Sequence, residues 1–62
     1  MCEAKVYFGG RRKGDLVMEE VAVVEIEGDR ATLIDVSGNK KQLSGFSKVM
    51  IDNLNHVIVF SQ

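Results

Sequence analysis

The 62-residue sequence has no tryptophan, no proline, and a single cysteine, histidine and tyrosine. One cysteine excludes a disulfide within the chain, and the cysteine and histidine sets of the usual structural zinc sites are missing as well. No apolar run exceeds a few residues, far short of the roughly 20 that cross a bilayer as a helix. The amino terminus lacks the basic start and apolar core of a secretory signal, which places the chain in the cytoplasm, where a lone thiol stays reduced. An excess of one charge is also missing: eight basic and nine acidic side chains leave a net charge of −1. Nucleic-acid modules are normally basic, so this balance counts against one while leaving room for a local patch. Catalytic groupings are absent too, since no histidine neighbours a serine in sequence and no acid pair stands apart from the other charges. A chain this short cannot enclose a sizeable substrate pocket, so an enzyme is not expected.

What is present fits one domain, residues 1–62, near the lower size limit for independent folding. A chain of about 60 residues buries only about 60% of the surface it exposes when unfolded, and small domains draw extra stability from disulfides, a metal or self-association. With the disulfide excluded, a metal or an oligomer remains.

The pattern along the chain is that of strands. In "CEAKVYF", Cys2, Ala4, Val6 and Phe8 share one face, and Glu3, Lys5 and Tyr7 the other. "GGRRKG" is a turn. "LVMEEVAVVEIE" is long enough for a helix, but its β-branched residues and the Glu25-Ile26-Glu27 alternation favour extended chain. "EGDR" marks a hairpin leading into "ATLIDV", "SGN" turns into "KKQLS", "GFSKVMIDN" carries a further strand, and "LNH" is the last turn before "VIVF". Five or six short strands with glycine-rich turns and at most one helical turn predict an all-β fold, a small barrel or tightly curled sheet. Two segments, Val21-Ala22-Val23-Val24 and Val57-Ile58-Val59-Phe60, are apolar on both faces. Either a bulge alters their register or a second copy covers the extra face, as in a homodimer.

The candidate site begins at Cys2. A cysteine can serve as a small buried hydrophobe, but beside the chain start its thiolate lies next to the α-amine. If Met1 is removed, amine and thiolate of Cys2 close a five-membered chelate ring on a metal. If Met1 stays, its amine, the Cys2 amide nitrogen and the Cys2 sulfur form a compact N,N,S set. Square-planar Ni(II) or Cu(II) takes four donors, and two copies across a dimer axis complete an N2S2 set. His56, the sole histidine, is either a solvated turn residue or a supplementary imidazole ligand. "GGRRKGD" is not a phosphate-binding loop, because Asp15 and Leu16 stand where lysine and a hydroxyl residue belong. The basic residues Arg11, Arg12, Lys13, Lys40 and Lys41 are either solvated turn charges or phosphate contacts.

"MCEA" at the start, "DLVMEEV", the "EGDR" turn and the "LNH" before a final apolar strand resemble the CooT family of small proteins associated with nickel insertion into carbon monoxide dehydrogenase. The resemblance covers nearly the whole chain. It implies a homodimer of SH3-like barrels that binds Ni(II), one per dimer, through Cys2 of both chains and serves as a nickel chaperone for carbon monoxide dehydrogenase or its maturation proteins. Cys2 carries over as the family ligand; His56 does not. Family members have also been labelled RNA-binding from their fold, which leaves a small-barrel RNA-binding module as the alternative. The acidic balance and the scarcity of aromatics beyond Tyr7 argue against base stacking.

Overall fold

A computed structural model describes residues 3–62; Met1 and Cys2, and with them the candidate donors read at the chain start, lie outside the described residues. Six strands form one sheet: β1 Ala4–Phe8, β2 Leu16–Glu27, β3 Arg30–Asp35, β4 Lys40–Ser44, β5 Lys48–Asp52 and β6 Val57–Ser61, in the order β4-β3-β2-β1-β6-β5. Lys13–Asp15 is a single 3-10 turn, and no α-helix occurs among the described residues. The helix-length segment is indeed the 12-residue β2, because its valines and isoleucine pack better on a pleated surface than against a helical turn. The hairpin into β3 turns at Gly28 and Asp29 with Glu27 opposite Arg30. Gly28 takes φ +61 at the first central position, which glycine adopts without steric cost.

β2 bends through bulges rather than running straight. Its pairing with β1 slips between Ala4–Val21 and Val6–Met18, and Glu20 there has φ +55, a left-handed conformation that costs a non-glycine residue roughly 1–2 kcal/mol. The Glu20 carbonyl accepts a 3.0 Å hydrogen bond from the Val36 N–H. A further slip, between Val21 and Val23 on the β3 side, turns Val21 and Val24 toward the core and leaves Ala22 and Val23 exposed. The bulge alternative for this doubly apolar segment is therefore the one observed.

Of the two forms expected, a small barrel or a tightly curled sheet, the open sheet is the one observed, and its strands are not all antiparallel as the barrel expectation had them. β1 and β6 pair in parallel, with Lys5 opposite Val57 and Phe8 opposite Phe60, while every other pair is antiparallel. The sheet also stays open, because no ladder joins its edge strands β4 and β5. Only residues 45–47 connect these two edges, so the sheet curls back on itself at that corner. The connection bonds to the end of the chain instead of closing the ladder: Ser47 N–H donates to the Ser61 carbonyl at 2.9 Å, and Gln62 Nε2 to the Gly45 carbonyl at 3.2 Å. Phe46 turns inward and meets Phe60 edge to face, ring centroids 4.8 Å apart.

Val6, Val21, Ala31, Leu33, Phe46 and Phe60 form the core. In β6 both faces are covered within the chain, with Val57 and Val59 buried on the side opposite the fully buried Phe60. This segment needs no partner, in contrast to the dimer alternative read for it from sequence. A charge at Val59 then strands an unpaired ion in buried surroundings: Val59→Lys is expected to unfold the chain. Val23→Lys, at a position 48% exposed, should change stability by no more than about 0.5 kcal/mol. Urea titration of both variants checks this.

Two turns are organised by aspartates in the same way. Asp35 Oδ1 accepts the Ser37 and Asn39 N–H groups, each at 2.9 Å, and Oδ2 accepts Asn39 Nδ2 at 3.0 Å. Asp52 Oδ1 accepts the Leu54 and Asn55 N–H groups, each at 3.1 Å, and Oδ2 accepts Asn55 Nδ2 at 2.9 Å. The asparagine side chains, followed by their backbone N–H groups, hold both carboxyls below the usual 3.8. A carboxyl depressed in the folded state contributes stability above its unfolded pKa, and that contribution is lost as pH falls through the folded value. Stability should decline as pH drops below about 4, and the double variant Asp35→Asn, Asp52→Asn should show a shallower decline in chemical unfolding followed by circular dichroism.

Candidate metal centre

β1 begins two residues after Cys2, a span of at most about 7 Å between Cα atoms. The ground for the candidate donors is therefore the surroundings of the first β1 residues. The parallel β1–β6 ladder places the turn ahead of β6 beside them: Lys5 N–H donates to the His56 carbonyl at 2.9 Å. No sequence spacing linked His56 to the chain start, and tertiary pairing brings the His56 backbone beside the first residues of β1. The one signal for this was "VIVF", apolar on both faces as an interior strand is, though it did not reveal which strand would lie alongside.

His56 is exposed and has φ +56, a conformation that asparagine or glycine adopts more readily. The turn that imposes it is the one fastened by Asp52. Arg11 adds a 3.4 Å contact from its guanidinium to Asp52 Oδ2, tying the glycine-rich loop to the β5–β6 turn. Between this turn and the bend of β2 lies an open concavity of about 400 Å³, with Ala4, Val24, Ile51 and Ile58 on its apolar side and Asn53 and His56 on its polar side. Among the described residues no group of three or more histidine, cysteine, aspartate or glutamate side chains is close enough to hold a metal.

The five basic residues read as phosphate contacts do not act as one free set. Arg11 is held by Asp52, and Lys41 Nζ donates to the Val17 carbonyl at 3.2 Å. No helix of the described residues is long and apolar enough to cross a membrane.

Comparison with known proteins bears on the same chain end. The family model described as CO dehydrogenase accessory protein CooT matches residues 1–60, from the terminal Met-Cys to the buried end of β6. An uncharacterised protein of Methanocaldococcus jannaschii, MJ1551, is 39% identical over 59 residues, which cover 95% of this chain and 96% of that one. No solved structure matches. Since the match takes in every strand of the sheet as well as the chain start, this all-β chain belongs to the CooT family of CO dehydrogenase accessory proteins.

Proposed function

We propose that this chain is a cytoplasmic nickel carrier for the maturation of CO dehydrogenase, with Ni(II) as its cargo. The observation that supports it is the family match over residues 1–60. The donor chemistry agrees with the cargo: an amine and a thiolate at the chain start form a compact N,S chelate acceptable to Ni(II), and two chains supply the four donors of a square-planar ion. One ion shared by a homodimer through Cys2 of each chain, with the amine of Met1 or of Cys2 after methionine removal, is the stoichiometry we assign. The protein performs no catalysis in this reading. It delivers the metal to the enzyme or to its maturation proteins.

In this reading His56, on the turn whose backbone bonds to Lys5 near the start of β1, is a supplementary imidazole ligand. Copper outranks nickel at most sites of this composition, so the choice of nickel rests with supply and partners. RNA binding gains no support, because Arg11 and Lys41 are engaged within the chain and the net charge is −1. The relation of the curled sheet to SH3-like barrels belongs to this proposal as well.

Native mass spectrometry with added nickel tests the reading by reporting copy number, metal count and the state of Met1 together. Cys2→Ser should abolish tight Ni(II) binding while circular dichroism stays unchanged. Residues added ahead of Met1 should weaken binding strongly by moving the amine away from the thiolate. A tagged protein that binds nickel through Cys2 as tightly as the untagged one would remove the amine from the model. His56→Asn keeps a residue suited to the left-handed turn and should lower nickel affinity less than Cys2→Ser in calorimetry; an equal loss would make the imidazole a principal donor.

A further inference from the structure

The two edges of the sheet differ in kind. β4 carries Lys40 and Lys41 side by side, and lysines on an edge discourage another strand from pairing there. β5 reads Lys48-Val49-Met50-Ile51-Asp52, without proline or bulge, and is bonded to β6 on one side, with no strand on its other side among the described residues. Val49 and Ile51 lie opposite Phe60 and Ile58 and share their face, and Ile51 is 60% exposed. On the other face Lys48 is exposed and makes no ion pair among the described residues, whereas Asp52 is held by Arg11, Leu54 and Asn55. The far end of this edge reaches the concavity, since Ile51 and Asp52 line it together with Ala4 and His56.

We propose that β5 is a docking edge for an extended segment of a second protein, the one that receives the metal, and that this segment joins the sheet as an additional antiparallel strand. Main-chain hydrogen bonds hold such a segment, and the side chains of the edge select it. Opposite Ile51 and Val49 it carries apolar residues, which extend the face that covers the core, and opposite Lys48 it carries a carboxylate. Opposite Asp52 it carries a neutral residue, because Arg11 already balances that charge. The order is neutral, apolar, any residue, apolar, acidic. A slip of one residue sets the apolar side chains of the segment against Met50 and one of the two charged residues. A second copy of this chain does not suit the edge: β5 paired with its own equivalent places the two β1 strands five strand spacings apart, about 24 Å. Two residues of each chain start do not span that distance, so such a pair excludes the shared ion. In this choice of partner the proposal rests on the carrier reading. An antiparallel segment begins opposite Asp52, so the residues that precede it in the receiving protein arrive beside the concavity and the start of β1.

The test uses the Cys2→Ser chain, which removes the native thiol and nickel binding from the question. The probe is the capped peptide acetyl-Gly-Ser-Thr-Val-Thr-Val-Glu-Ser-Gly-amide, whose central five residues follow the pattern, titrated into the chain and followed by amide NMR. Saturable shifts are expected at Lys48 to Asp52, with a dissociation constant of about 1 mM or tighter, while Lys40 to Ser44 on the lysine-bearing edge stay in place. Lys48→Glu, at an exposed position that leaves the fold intact by circular dichroism, should weaken the peptide about fivefold, one attraction becoming a repulsion. The peptide with lysine in place of its glutamate should then bind that variant as tightly as the first pair. Absence of binding, equal shifts on β4, or an affinity indifferent to the charge exchange would overturn the proposal. So would β5 shifts that follow dilution of the chain without peptide, since a second copy would then be the occupant. None of these results depends on nickel, and nickel binding by the chain with Cys2 intact is read separately, so failure of the docking edge is distinguishable from failure of the carrier reading.

Discussion

The parallel ladder between β1 and β6 is the constraint on which the rest of the structure depends. It joins the first strand to the last, and both take interior places in the sheet. Val6 on β1 and Phe60 on β6 are fully buried, so the two ends of the chain contribute the centre of the core. Most small β proteins build outward from local hairpins; here the hairpins β2–β3 and β5–β6 hang from a pairing that spans the whole chain. Closing so large a loop is entropically costly and is recovered only once the core residues on both strands meet.

This ladder also decides what surrounds the candidate metal centre. Because β6 runs parallel to β1, the turn ahead of β6 arrives at the beginning of β1 and not at its end. Asp52 fastens that turn through three hydrogen bonds and an ion pair with Arg11. His56 is thereby fixed in a left-handed conformation next to the strand that follows Cys2. For the proposed nickel carrier, an exposed turn at a sheet end suits release of an ion better than a buried pocket would.

The open sheet has a matching consequence. A closed barrel has no edges, whereas this one leaves two, of unlike chemistry. The link from β4 to β5 accounts for both the curl and the opening: it is short enough to draw the edges together, yet its backbone bonds to Ser61 and Gln62 and its Phe46 enters the core. The apolar excess that a 62-residue chain has little interior to absorb is taken up partly on the second face of β6 and partly left at Ile51, Val23 and Ile26.

The sequence by itself determined the strands, their turns and the family. Alternation in "CEAKVYF", the β-branched run from Val17 and the "EGDR" turn are local signals, and they act on neighbouring residues whatever the rest of the chain does. The family match takes in the "MCEA" start that the sequence singles out. The tertiary structure alone decided the parallel sense of β1 and β6, the open sheet, the bulges that reassign Val21 to Val24, and the nearness of His56 to the start of β1. Each of these depends on contacts between residues far apart in the chain, such as Lys5 with His56 and Phe46 with Phe60. Periodicity tells which face of a strand is buried, but it carries no information about which distant strand buries it.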